Sequence, residues 1–248
     1  MSVWTSRLAS SEAAAPLEFL RNVVRKPMRT CHVCATPING YPLCWRCCDH
    51  QRTSGLADFV APLAYALDGT KSAAVVRNYK NHPLRCERER CGSIVGEVLR
   101  LGMTLHKRCV NAVVGQSVFA CVVVPSLTSR LGIHPMTSIA ESLGLMGDVA
   151  LRPALNARCD RVVDGEKFTF DGAVTGRHML VIDDVWTTGS NAQSAALALR
   201  RAGAAAVSVM VIARWLNPRH PLSPTFIREH LDADYNPRVC PVTGDCCP

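Results

Sequence analysis

The chain predicts an α/β fold: a parallel sheet flanked by helices, with a small cysteine-rich module ahead of it. Three observations carry this. Ser117–Pro125 (SVFACVVVP), Met179–Ile182 with Val185, and Ala204–Trp215 (AAAVSVMVIARW) are apolar runs rich in Val and Ile, the pattern of strands buried on both faces. Between the last two lies Asn191–Arg201, with Ala or Leu at most positions and Gly203 to stop it, which reads as a helix. Residues 31–50 (CHVCATPINGYPLCWRCCDH) hold five of the thirteen cysteines. Taken in chain order, strand, helix, hairpin, strand, helix and strand give a right-handed parallel arrangement.

Composition narrows the classes. A chain of 248 residues can bury one α/β core and carry a smaller appendage. Met1–Leu20 has no basic start followed by an apolar core, so a cytoplasmic location is expected, and there thiols serve metals more often than disulfides. The longest charge-free stretch, Cys109–Ser129, is broken by Asn111, Gln116, Ser117 and Pro125, so no membrane span is expected. The net charge of +8 is uneven: residues 1–110 hold 16 Lys and Arg against 8 Asp and Glu, whereas residues 111–248 hold 12 of each. That asymmetry fits an anionic partner, nucleic acid or a polyphosphate, or a solvated basic face.

The elements follow in order, in four regions: a lead-in and metal module over 1–55, a basic helical connector over 56–110, the α/β core over 111–216, and a cysteine-containing tail over 217–248. Cys31/Cys34 and Cys44/Cys47 are each C-x-x-C, separated by turn residues Pro37, Asn39-Gly40 and Pro42. Each pair can aim two thiolates at one ion, and four close a tetrahedral shell, so a structural zinc ribbon or knuckle is expected. Cys48, His32 and His50 are spare donors. Leu56–Leu67 and Thr70–Tyr79 have helix-like or mixed character. Pro83 interrupts the basic Lys80–Arg90, and a helix is expected over Cys91–Lys107. After the strand Ser117–Pro125 come a polar turn, Ser126–Arg130, and a helix over Met136–Leu145. Arg161–Phe170 reads as a hairpin turning at Asp164-Gly165. In the tail, Cys240, Cys246 and Cys247 could form a second metal site, join the first with Cys48, or stay free.

The central stretch, His178–Asn191 (HMLVIDDVWTTGSN), holds the chemistry. Asp183 and Asp184 stand at the carboxyl end of a strand, where open α/β sheets bind ligands. Thr187, Thr188, Gly189, Ser190 and Asn191 then bring backbone N–H groups, hydroxyls and an amide to a helix N-terminus, a prepared anion site. Gly189 would let the backbone approach a phosphate closely. Two acids can accept from a vicinal diol and stand near a hydrated divalent ion. A phosphate beside a diol describes ribose 5-phosphate. The bland alternative is a capping turn, with Ser190 or Asn191 as N-cap and two solvent-facing acids.

These residues carry a resemblance. VIDDVWTTGSN is similar to the phosphoribosyl-pyrophosphate (PRPP) motif of type I phosphoribosyltransferases: an apolar run, two acids, then T-T-G. The double C-x-x-C ahead of it, with Tyr79-Lys80 between, resembles the ComF family of phosphoribosyltransferase-like proteins, associated in some bacteria with DNA uptake. The likeness covers residues 31–215. It implies that Asp183 and Asp184 hold the ribose hydroxyls and act in catalysis. Thr187, Thr188, Gly189, Ser190 and Asn191 would surround the 5-phosphate, and Ser126–Arg130 would stand as the pyrophosphate loop with Arg130 as its cation. The hairpin near Arg161–Phe170 would be a flexible cover. It further implies Mg-dependent transfer of ribose 5-phosphate to an unknown nitrogen acceptor, and leaves room for a homodimer. Asn191 replaces the usual Thr, and Leu131–Pro135 shares only Gly132 with the family's R-G-F-N-Q, so the acceptor stays undefined. A rival expectation is a non-catalytic PRPP sensor or DNA-processing protein that binds nucleic acid through its basic zinc half. His134, close to the expected pyrophosphate loop, reads as part of a His-Pro turn.

Overall fold

The computed structural model describes residues 17–127 and 133–248. Its centre is a four-stranded sheet of β1 (Phe59–Leu67), β2 (Val118–Val123), β5 (His178–Trp186) and β6 (Ala206–Leu216). The order is β1-β6-β5-β2, and every neighbouring pair is parallel. A separate two-stranded antiparallel ladder joins β3 (Ala150–Pro153) to β4 (Phe168–Asp171). The helices are α1 (Trp45–His50), α2 (Lys71–Asn81), α3 (Arg85–Val114), α4 (Pro135–Ser142), α5 (Ser190–Arg201) and α6 (Ser223–His230). The mixed α/β architecture with a parallel centre is as the apolar runs predict.

Alternation along β5 divides the core into two layers. Leu180 and Ile182 face one way and join Ile94, Val95, Val98 and Leu99 of α3 and Met136 of α4. Met179 and Val181 face the other and join Ala192, Ala195, Ala196 and Leu199 of α5, with Cys31, Cys34 and Cys47. Small alanines let α5 lie close on the sheet. Burying each Val, Leu or Ile contributes about 1.5–3 kcal/mol, so this strand alone anchors both layers. Gly102 performs a similar task in the middle of α3: a Cβ there would stand 2.6 Å from Leu63 Cδ1 of β1.

Two expectations are corrected. Leu56–Leu67 is not helical; Phe59–Leu67 is an edge strand of the central sheet, buried along nearly its whole length. Proline within a sheet is confined largely to edge strands, and Pro62 lies in this one, which has an open side. Part of that side is covered where Tyr65 N donates to Arg21 O at 2.8 Å. Arg161–Phe170 is also not a hairpin. Its second arm, β4, pairs with β3, and Asp164 instead caps a 3-10 turn over Gly165–Lys167. Asp164 N donates to Ser194 Oγ at 2.9 Å, and the buried Lys167 ammonium donates to Asp160 and Val162 carbonyls, so the segment is fastened to α5 rather than hanging free. Pro83 does separate two helices, as expected, although α3 is longer than Cys91–Lys107 at both ends.

The tail is part of the fold. Phe226 of α6 meets the Tyr65 ring edge-on at 5.9 Å, Asn22 and Asn236 exchange two hydrogen bonds of 2.8 Å, and Cys240 and Val242 enter the α3 layer. Among the described residues no helix is long and apolar enough to cross a membrane.

Candidate functional site

The β5–loop–α5 unit forms as its sequence predicts. β5 ends at Trp186, Thr187 and Thr188 make the turn, and Gly189 stands as N-cap in the left-handed region at φ 79°. The need for glycine is twofold: besides that backbone angle, a Cβ would fall 2.1 Å from Trp186 Cζ2. The indole, rather than an approaching phosphate, occupies the space a side chain would take. Gly189 offers no capping side chain, and only the long 3.4 Å contact of Ser190 N with Thr188 Oγ1 engages a first-turn N–H, so the positive end of α5 can receive an anion. Thr188 Oγ1 and Ser190 Oγ lie 3.1 Å apart at that end, Thr187 is exposed, and the Asn191 Oδ1 atom is buried without a partner among the described residues. The alternative of Ser190 or Asn191 as N-cap does not hold.

The carboxylates differ from the free pair expected. Asp184 is buried and engaged: Tyr79 Oη donates to its Oδ2 at 2.5 Å, and the Lys80 ammonium donates to the same oxygen. Burial alone would raise its pKa, but Lys80 and Tyr79 outweigh that and hold it below the ordinary carboxylate value. Asp183 has no such cation in contact among the described residues; its Oδ1 accepts from Asp184 N at 2.9 Å. Desolvation first, and the charge of Asp184 second, push it up to about 7. Adjacent acids driven apart in this way make the pair a candidate site.

Ser126 follows β2, two residues past Val124, whose N–H reaches Ile182 O at 2.9 Å, which brings it to the same sheet end as Asp183. Arg130 lies outside the described residues, as does most of the expected pyrophosphate loop. His134 is the N-cap of α4, its Nδ1 accepting from Met136 N at 3.3 Å, and it adds to the positive surroundings of Asp184.

Three residues of the site have no role in the sequence analysis. Tyr79 and Lys80, at the end of α2, entered it only through the resemblance, without a role. Arg214, near the end of β6, donates to Trp186 O at 2.6 Å, to Thr187 O at 2.9 Å and to Thr36 Oγ1 at 2.7 Å. It therefore locks the turn to the cysteine module. An Arg inside the apolar AAAVSVMVIARW was the available signal, since a buried guanidinium needs partners.

Cys31, Cys34, Cys44 and Cys47 gather as expected, with all four Sγ atoms within 4.8 Å of one another and Cys34 3.7 Å from Cys44. A tetrahedron of ~2.3 Å metal–sulfur bonds has edges of about 3.8 Å, so the donor set fits a metal such as zinc. Mutual hydrogen bonds drive the Cys31 thiol down and push Cys34 and Cys47 up, since four thiols this close cannot all ionise without a cation between them. Cys48 points elsewhere and is exposed. A second group, His106, Cys109, Cys240 and Cys247, is equally compact and could also hold a metal ion. All thirteen cysteines are free thiols.

A cleft of about 510 Å3 runs between the cysteine module and the turn, lined by Tyr41, Trp45, Arg46, Thr187, Thr188 and Arg214 among others. Tyr41 and Trp45 are 70% exposed, and the Arg46 guanidinium stacks 4.5 Å over the Trp45 ring. Neither a family model nor a curated protein matches this chain.

Proposed function

We propose that this protein binds PRPP and, with Mg2+, transfers its ribose 5-phosphate to a nitrogen acceptor. The observation that carries this reading is the juxtaposition of Asp183 and Asp184 with the glycine-capped N-terminus of α5 at the carboxyl end of a parallel sheet. The likeness of Val181–Asn191 to the type I phosphoribosyltransferase motif supports it.

In this reading Thr187–Asn191 hold the 5-phosphate through backbone N–H groups and hydroxyls. Asp183, the less engaged acid, accepts from the ribose hydroxyls. Asp184, held by Lys80 and Tyr79, supplies a fixed negative charge beside the ring. Mg2+ would neutralise the pyrophosphate. With only carboxylate oxygens offered by the chain, it would be held chiefly through the substrate and water. The C1–oxygen bond to pyrophosphate breaks with its electron pair leaving on pyrophosphate, and the acceptor nitrogen bonds to C1 and loses a proton. The protein contributes position and field. Cys31, Cys34, Cys44 and Cys47 would hold a structural zinc that seats Thr36 against Arg214 and so braces the turn.

The test is calorimetric titration of Mg-PRPP into wild-type protein and the Asp183→Asn, Asp184→Asn double variant, with pyrophosphate release followed against a panel of nucleobases and amines. Binding by the wild type, and loss of at least tenfold in affinity in the double variant, is the expected outcome. Equal affinities would remove the assignment. Binding without release against any acceptor would leave a sensor.

A second reading, nucleic-acid binding by the basic half, gains from one observation: Trp45, Tyr41 and Arg46 form an exposed stacking surface beside the cationic Arg214. The Lys80–Arg90 run supports it less, since Arg85 pairs with Glu89 and Arg90 with Glu87. Salt-dependent binding of a single-stranded oligonucleotide, weakened by Trp45→Ala, would favour it.

A further inference from the structure

The second cysteine group differs from the first in being assembled across the whole chain. His106 and Cys109 stand three residues apart on one face of α3, both buried. Cys240 and Cys247 come from the far end, where the chain folds back on itself. Gly244 N donates to Cys240 O and Cys240 N to Asp245 O, each at 2.8 Å, while Thr243 Oγ1 donates to Cys246 O at 2.7 Å. This tight turn carries Cys247 back beside Cys240 and leaves Cys246 outside the group.

The donor atoms are prepared for an ion. His106 Nε2 lies 2.7 Å from Pro237 O, a carbonyl that can only accept, so the ring proton belongs on Nε2 and Nδ1 keeps its lone pair. That Nδ1 is 3.4 Å from Cys247 Sγ. An ion with ~2.3 Å bonds to sulfur and ~2.0 Å to nitrogen would set this edge at about 3.5 Å. All four ligand atoms lie within 4.8 Å of one another. A carbonyl-oriented imidazole with three thiols around it, two of them buried and Cys247 at the surface, is the arrangement of a closed zinc shell.

We propose that His106 Nδ1 and the thiolates of Cys109, Cys240 and Cys247 bind a second zinc ion, which staples the end of the chain to α3. Binding displaces the thiol protons to solvent, so the site fills more completely as pH rises. The staple has a defined load. The tail it secures supplies Pro241 O, which accepts from Arg25 Nε at 3.1 Å, and the Arg25 guanidinium also donates to His32 O at 2.8 Å and Val60 O at 2.6 Å. Arg25 thus joins the tail, the first cysteine loop and β1. The two groups lie in opposite layers of the core, so an ion in each would clamp the sheet from both sides.

The inference is independent of any reading of the β5–α5 site. It is tested on the full chain, purified under reducing conditions, equilibrated with zinc and freed of loose metal. Elemental analysis should give about two zinc ions per chain, falling to about one in Cys247→Ser, whose altered residue is exposed and so should not unfold the protein. Cys246→Ser should keep both. Cadmium-113 NMR gives a reading free of substitution: two resonances are expected, one in the range of four sulfur ligands and one shifted upfield toward three sulfurs and a nitrogen. A single zinc in the wild type with Cys247→Ser unchanged, or a single cadmium resonance, would overturn the proposal.

Discussion

At the scale of single residues, the site turns on two adjacent acids made unequal by their neighbours. Asp184 is kept charged by Lys80 and Tyr79, while burial and the Asp184 charge lift Asp183 to about 7. Asp183 therefore passes from neutral acid to carboxylate acceptor across the neutral range. Affinity for Mg-PRPP is expected to rise between pH 6 and pH 8 in the wild type and to lose that rise in Asp183→Asn; titrations at several pH values check it. Lys80→Met should leave the Asp184 carboxylate without its contacting cation, with Tyr79 still donating to it. A loss of about 1–3 kcal/mol is expected, smaller than for a fully buried pair because Lys80 is partly open to solvent. Urea unfolding at neutral pH measures it, and repeating the measurement at low pH, where Asp184 is protonated, should shrink the difference. None of this pairing was legible in the sequence. Asp183 and Asp184 could be read because the motif is continuous, whereas Tyr79 and Lys80 lie more than a hundred residues upstream and are brought to Asp184 only by the packing of α2 on the sheet.

At the scale of elements, continuous patterns were readable and diluted ones were not. β5, α5 and β6 announce themselves by unbroken apolar or alanine-rich runs bounded by glycine. β1 does not: FVAPLAYAL is buried on both faces and so shows no alternation, and its alanines and Pro62 mimic a poor helix. The β3–β4 ladder was misplaced because Asp164-Gly165 has turn chemistry, but the turn it makes is a 3-10 cap between more distant partners. The contact of α3 with β1 rests on Gly102, so Gly102→Ala is expected to cost about 1–3 kcal/mol by forcing Leu63 aside. Leu63→Ala alone should also destabilise. The double variant should be more stable than the sum of the two losses predicts, because the new methyl fills part of the space vacated; thermal melts of all four proteins close the cycle.

At the scale of the whole molecule, two cysteine groups, one legible and one not, sit in the two layers around a single sheet. The first pair of C-x-x-C motifs is local and could be read directly; the second set draws its ligands from α3 and the tail, and no spacing rule joins residues so far apart. The strand order carries a further consequence, for how the chain acquires its shape. β6, the last strand in sequence, lies in the middle of the sheet between β1 and β5. Until it emerges, β1 has no partner strand in the sheet beyond the single bridge from Tyr65 to Arg21, and closing a loop of that size costs about 4 kcal/mol of chain entropy before the β1–β6 ladder rewards it. Folding should therefore be slow and all-or-none, gated by the arrival of one late segment. A fragment ending at residue 203 is expected to remain unfolded and to aggregate through the unpaired β1, which light scattering on the expressed fragment would reveal. During synthesis the apolar FVAPLAYAL must wait, exposed, for its partner, so this chain's demand for chaperones should be set by β1.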